Sequence, residues 1–260
     1  MNTDIENYDN RFVAFIDILG FKSIIENTVM NALEYKRIKN VLNYIAQMQE
    51  DNYYGFLAQY GILKEISIFS DSIVISYSRS LSIGGALFHI LVDLVHLCND
   101  LLSANIFVRG GIAYGQMYHD KKICFGPAMI KAYKMEEETA VFPRIVTDRE
   151  TIEMGIRYPG QANTSEQECE YLKDLLCEDD DGFFFLDYLS QFTEFNDIQT
   201  YRNYLERVKK LVTMHLAANH IPNVHQKYVW FADYFNQTLK KIYGNQIPSN
   251  MIIDIVDVQK

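Results

Sequence analysis

The chain has 260 residues, 48% of them hydrophobic, with 18 Tyr and 16 Phe, enough apolar volume for one elaborated domain with a substantial core. A formal net charge of −10 excludes an electrostatic nucleic-acid groove, which needs clustered cations to displace phosphate counterions, but leaves room for a single nucleotide. Cys98, Cys124, Cys169 and Cys177 show no CxxC spacing and no histidines at ligand spacing, which argues against zinc and for reduced structural thiols.

Met1 to Asn10 is polar and acidic, unlike a signal peptide, and no apolar run approaches the ~18–20 residues of a membrane span, so a cytoplasmic protein is expected. Phe12 to Ile16 is a continuous apolar run, as in a strand buried on both faces, and it ends in Asp17-Ile-Leu-Gly-Phe21. In the helical stretch that follows, Ile38, Val41, Leu42, Ile45 and Met48 form one buried face. Ile62–Phe69 and Ile73–Tyr77 read as a hairpin with Ser70-Asp71-Ser72 at its tip. Ser80 or Ser82 can cap a helix whose stripe runs Ile83, Leu87, Ile90, Leu91, Leu94, Cys98, Leu101, Leu102. Residues 106–113 form a strand containing Arg109-Gly-Gly111, residues 118–125 a polar-tipped hairpin, and Gly126-Pro127 opens a helix to about Thr139. Residues 143–147 resume as a strand. The acidic stretch from Gly160 to Asp181 reads as a solvated excursion, with Glu178 to Asp181 as its charge run. A strand over 183–188 and two amphipathic helices, about 200–219 and 224–243 with Pro222 between them, close the chain. Strand pairs interrupting helices predict an α+β fold, a mainly antiparallel sheet with helices on one side.

Asp17 and Asp71 each follow apolar strand residues where the backbone leaves the core, a costly place for a carboxylate unless something binds it. Singly, each is also compatible with an exposed turn aspartate. If the hairpin lies beside the first strand, the pair converges on divalent ions of the kind that serve in-line phosphoryl displacement. Gly20 and the helix start after it suit phosphate binding.

Phe15-Ile-Asp17-Ile-Leu-Gly-Phe21 resembles the first metal motif of class III nucleotidyl cyclases, and Phe69-Ser-Asp71-Ser is similar to that family's second, with Ser70 in place of the usual Gly. Val108-Arg-Gly-Gly-Ile-Ala-Tyr-Gly115 resembles the Arg-x-Gly-Ile-x-x-Gly strand that follows. The resemblance covers about residues 10–150. It implies a ferredoxin-like class III cyclase domain, acting as a homodimer with composite sites at the interface. Asp17 and Asp71 would ligate two Mn2+ or Mg2+ ions, with the carbonyl of Ile18 completing one site. The amides of Leu19, Gly20 and Phe21 would cradle the phosphates. Lys134 and Arg109, from the interface side, would balance developing charge. Lys22 either meets the phosphates or is a solvated lysine, and Arg109 is either a triphosphate contact or a structural arginine in a sheet ion pair.

The departures bear on substrate. The positions that read adenine in adenylate cyclases are Ser67 and Ile123, the ribose-binding Asn is Ile130, and the transition-state Arg is Lys134. Tyr60 either fills the space of a purine's second ring or is an ordinary core tyrosine. A narrower similarity spans nearly the whole chain: the Arg-Gly-Gly strand, Gly126 to Glu137 with Met135 inserted, Pro143-Arg-Ile, and Lys227-Tyr-Val-Trp230 with Tyr234-Phe-Asn236. These resemble the pyrimidine cyclases of bacterial Pycsar anti-phage systems. That implies conversion of UTP, or CTP, to the cyclic monophosphate and diphosphate, read by a separately encoded effector. Two other readings are a purine cyclase with unusual base contacts and an inactive, nucleotide-binding cyclase-fold module. The expected organisation is one domain over 1–260: a core of about 10–155, an excursion of about 156–181, and a closing strand and helices over about 182–260.

Overall fold

In the computed structural model, which describes residues 8–48, 63–79, 84–120, 122–218 and 221–255, the apolar run from Phe12 to Ile16 is the middle of strand β1 (Asp9–Ile18). It is buried on both faces because it is central. Strand β3 (Ser72–Ser78) pairs with one edge and β4 (Val108–His119) with the other, both antiparallel, and β2 (Lys64–Phe69) lies beyond β3. Helices α1 (Phe21–Thr28) and α2 (Ala32–Gln47) connect β1 to β2, and α3 (Ala86–Ser103) connects β3 to β4. The spatial order β2-β3-β1-β4 with these crossovers is the ferredoxin-like split β-α-β arrangement.

The rest of the chain widens the sheet. β5 (Cys124–Phe125) folds back on the end of β4, α4 (Pro127–Lys134) runs into a π-helical turn (Met135–Thr139), and β6 (Ile145–Thr147) joins β4 in parallel. After α5 (Arg149–Arg157) and α6 (Ser165–Leu175), β7 (Leu176–Glu178) and β8 (Phe184–Leu186) extend the sheet antiparallel beyond β6. Helices α7 (Ile198–Ala218) and α8 (Pro222–Tyr243) complete the order, within two residues of the expected spans.

Helices occupy both faces of the sheet, not one. On one face, the Tyr77 hydroxyl donates to Asp93 of α3 at 2.6 Å, and Asp93 also takes a buried ion pair from Lys64 at 2.6 Å. On the other face α4 lies directly on β4, because that strand has glycines where the helix crosses it. A Cβ on Gly111 would meet the Ala132 carbonyl oxygen at 2.3 Å and the Met135 Cβ at 2.6 Å. α3 is the one helix among the described residues long and apolar enough to cross a membrane, and two thirds of it (67%) is buried in the core. The two serines considered as its caps lie outside the described residues; Gly85, at φ 71°, precedes its first turn.

The acidic segment is more ordered than a solvated excursion. Thr164 and Gln167 form a capping box that starts α6, and β7 follows it without a break. Within the charge run, Asp179 and Asp181 pair with Arg144, whose side chain is 3% exposed and also donates to the Thr139 carbonyl at 3.1 Å. A buried guanidinium requires such partners, and two of the run's four carboxylates supply them.

The glycine crossing is testable. Gly111→Ala forces α4 and its π turn off the strand, since the obstructing atoms are backbone or, at Met135, a Cβ fixed to it, and should cost about 1–3 kcal/mol. Urea unfolding checks this, and an unchanged midpoint would mean that α4 does not rest on β4.

Candidate active site

Asp17 is half-buried, the last residue but one of β1. The register sets it opposite Arg109 on β4 and Ser72 on β3, so it stands between an arginine and the β2–β3 tip. The tip turns on Ser70, which takes a left-handed φ of 61°, the conformation that a glycine would adopt at no steric cost. The Ile18 amide then donates to the Asp71 carbonyl at 3.0 Å, pinning the tip to the strand end. Asp17 and Asp71 thereby come close enough for the charge of one to act on the other. The Asp17 carboxyl is pushed above its ordinary range by burial first; Arg109 opposes the rise and Asp71 adds to it.

Arg109 is held from two sides. Its Nε donates to Asp17 Oδ2 at 3.3 Å, and a terminal nitrogen lies 2.7 Å from Oε1 of Glu136, in the π turn. The second contact is off-axis, so Glu136 Oε1 is buried without a directed hydrogen bond among the described residues. Of the two roles open to Arg109, the sheet ion pair is what is observed, and it lies within the chain that carries Asp17. Burial raises the Glu136 carboxyl, against the pull of Arg109. Lys227 of α8 completes the group: its charge acts on both Asp17 and Glu136.

A divalent ion suits this place. Arg109 engages only Oδ2 of Asp17, leaving Oδ1, and a dication beside Asp17 and Asp71 would relieve both the desolvation and the mutual repulsion. Among the described residues no group of three or more His, Cys, Asp and Glu is gathered as ligands. Ions held here would complete their shells from backbone carbonyls such as that of Ile18, water or substrate phosphates, as Mg2+ commonly does.

The turn after β1 departs in one respect from the sequence-based expectation. The Leu19 amide donates to the Phe107 carbonyl at 2.9 Å, so it is already spent and does not face a phosphate. Gly20 takes φ 73° and no side chain caps α1, which leaves the first-turn amides of Phe21 and Lys22 to an incoming anion. Lys22 itself is exposed.

Lys134 is exposed on α4 and lines a groove with Ile130, Glu138, Asp148 and Phe183, apart from the Asp17 group of its own chain. Tyr60 lies outside the described residues. Ser67 is placed on the sheet face that carries Asp17, and His119 bridges it to the next strand: the ring accepts or donates at 3.0 Å to Ser67 Oγ and 2.8 Å to Ser76 Oγ. Arg11 donates to the same Ser76 hydroxyl at 3.0 Å. His119 is 5% exposed, and burial, with the nearby Arg11 charge, lowers its pKa to about 4.

Glu136 and Lys227 were not among the residues singled out from sequence for this site. Glu136 is one of three consecutive glutamates, and only the π turn distinguishes the buried one. Lys227 lies in a similarity motif that carried no role.

No family model matches the chain, and no curated protein does. Among solved structures it is similar to the guanylyl cyclase domain of the RhoGC fusion protein from the aquatic fungus Blastocladiella emersonii, at 15% identity over 70% of this chain and 96% of that one, TM-score 0.43. The guanylate cyclase domain of RhGC from Catenaria anguillulae, in complex with GTP, gives 14% identity over 70% and 97%, TM-score 0.42. A bacterial light-regulated adenylyl cyclase gives 12% identity over 58% and 46%, TM-score 0.31. Similarities at this level assign no activity, and the functional reading rests on the residues.

The buried histidine makes stability depend on pH. His119 stays neutral in the folded chain to about pH 4 but binds a proton near pH 6.5 when unfolded, so lowering the pH through that window favours unfolding. The contribution is fully present above the unfolded pKa and amounts to about 3 kcal/mol at most. His119→Gln should therefore flatten the rise in Tm between pH 4.5 and 6.5 relative to wild type. Parallel curves would place His119 in water.

Proposed function

We propose that this chain is a nucleotidyl cyclase acting on a pyrimidine nucleoside triphosphate, UTP or CTP. The ribose 3′-oxygen attacks the α-phosphorus, the bond to the bridging oxygen of the leaving diphosphate breaks, and the hydroxyl proton passes to solvent or a base. The observation that carries this reading is the convergence of Asp17 and Asp71 at one end of a ferredoxin-like sheet, next to an uncapped helix start.

Bound Mn2+ or Mg2+ would supply activation of the attacking hydroxyl and neutralisation of the leaving oxygens. The chain's own part is to hold ions and phosphates in register. Asp17 and Asp71 offer the carboxylates, the amides of Phe21 and Lys22 receive phosphate oxygens, and Arg109 keeps Asp17 oriented through Oδ2.

Three features support the finer reading. Ser67 and Ile123 offer no lysine and aspartate to a purine, and Ser67 is instead held by His119. Phe69, Ile123, Phe125, Ile130 and Tyr133 are 41–59% exposed at the hairpin tip, the β4–β5 ribbon and the outer side of α4, which suits a homodimer interface. Lys134 lines a groove whose lining does not include Asp17, and a second copy would present it to a composite site. Ile130, where the resemblance expects a ribose-binding Asn, favours the alternative of an inactive nucleotide-binding module. A cyclic product read by a separately encoded anti-phage effector is the signalling role that goes with the main reading.

Purified protein incubated with each ribonucleoside triphosphate and Mn2+ should yield cyclic UMP or cyclic CMP, preferred over the purine products by more than ~100-fold in kcat/KM, about 3 kcal/mol. Asp17→Asn and Asp71→Asn should each abolish product with the fold retained by circular dichroism. A purine product in excess ends the pyrimidine assignment, and full turnover by either variant ends the metal assignment.

Asp17→Asn and Lys134→Ala proteins, mixed and allowed to exchange subunits, should recover activity that neither has alone, because one heterodimer site is intact. A mixture as inactive as its parents, with exchange verified by mass spectrometry, places both residues in one subunit's site.

A further inference from the structure

Helix α8 is not needed to close the ferredoxin-like core, yet it brings a cation to the strand end that carries Asp17. Its position is set by aromatic packing. Tyr228 stacks on His215 of α7 at 4.4 Å and meets Phe107 edge-on at 5.4 Å, and Phe231 meets Phe107 at 5.0 Å. Phe107 is also the residue whose carbonyl receives the Leu19 amide, so α8 and the turn before α1 are anchored to one point. Lys227, beside Tyr228, is thereby brought near enough to Asp17, Glu136 and Arg109 for their charges to act on it.

The charges there are not mutually satisfied. Arg109 serves Asp17 and Glu136, and among the described residues Glu136 Oε1 still lacks a directed donor. Lys227 is half-buried, and among the described residues it has no hydrogen-bond or ion-pair partner, although Asp17, Glu136 and Arg109 all act on it. Burial and then the like charge of Arg109 lower its pKa. An ammonium in that position, left uncompensated by its own fold, is stabilised by an added anion. Once Asp17 is engaged by a divalent ion, the nearest anion of matching chemistry is a phosphate.

We propose that Lys227 is a substrate-binding cation, donated by α8 of the same chain that carries Asp17 and Asp71, which contacts the diphosphate portion of a nucleoside triphosphate. This rests on the cyclase reading for the identity of the substrate but not for the binding of the phosphates. Lys227 would complement the two anion donors already at hand, the first-turn amides of α1. Its compact charge on a flexible stem suits a group that moves as diphosphate leaves.

The test separates this from a structural role. Binding of inorganic diphosphate and of 3′-deoxy-UTP, which lacks the attacking hydroxyl, is measured calorimetrically with Mn2+ for wild type, Lys227→Met, Lys227→Arg and a control, Lys173→Met, at an exposed position on α6. Lys227→Met should weaken both ligands by about tenfold or more, Lys227→Arg should recover most of the loss, and the control should match wild type. Its Tm should be unchanged or higher, because an unpaired, like-charged neighbour of Arg109 is gone; a structural lysine would lower it. Binding by Lys227→Met within twofold of wild type, or a marked fall in its Tm, overturns the assignment. If wild type makes no cyclic nucleotide while diphosphate binding still depends on Lys227, the cation stands and the cyclase reading fails. If wild type binds neither ligand, both fail.

Discussion

The guanidinium of Arg109 lies between Asp17 across the sheet and Glu136 above it, and most of the site's geometry follows from how those three reach one another. Asp17 is opposite Arg109 because β1 and β4 pair antiparallel in one register; a shift of one residue would turn Asp17 into the core. Glu136 reaches down because α4 sits on Gly111 and then widens into a π turn, which rotates one of three successive glutamates inward. π-bulges are frequent at functional sites, where an extra residue in a turn re-aims a side chain.

That arrangement leaves the site poised without satisfying it. Among the described residues Asp17 has one oxygen engaged and one free, Asp71 stands near with like charge, and Glu136 Oε1 and the Lys227 ammonium lack directed partners. Stability alone would favour apolar residues or complete pairing at such a place. Elsewhere buried charges of the same chain are ion-paired, Lys64 with Asp93 and Arg144 with Asp179 and Asp181, although among the described residues Arg144 Nε, like Glu136 Oε1, has no hydrogen-bond partner.

The outer elements give the core its reach. β6, β8 and β7 widen the sheet beyond β4, and α8 packs Trp230 against Phe142 and Phe185 of that extension and Phe231 against Phe107 just before β4. Phe107 links this packing to the turn between β1 and α1 through its carbonyl, so a displacement of α8 is felt at Leu19 as well as at Lys227.

Local pattern determined a good deal. The apolar run of β1, the stripe of α3 and the two closing helices are legible because period and length depend only on neighbouring residues. Asp17 and Asp71 stood out for the same reason, as carboxylates ending apolar runs. The acidic segment misled because a charge run looks solvated when its buried partner, Arg144, lies more than thirty residues away. Helices on both faces, the spent Leu19 amide, the choice of Glu136 over Glu137 and Glu138, and the approach of Lys227 were decided by tertiary structure alone. Each depends on which distant segments share a register or a crossing, and no residue's own type or spacing encodes that.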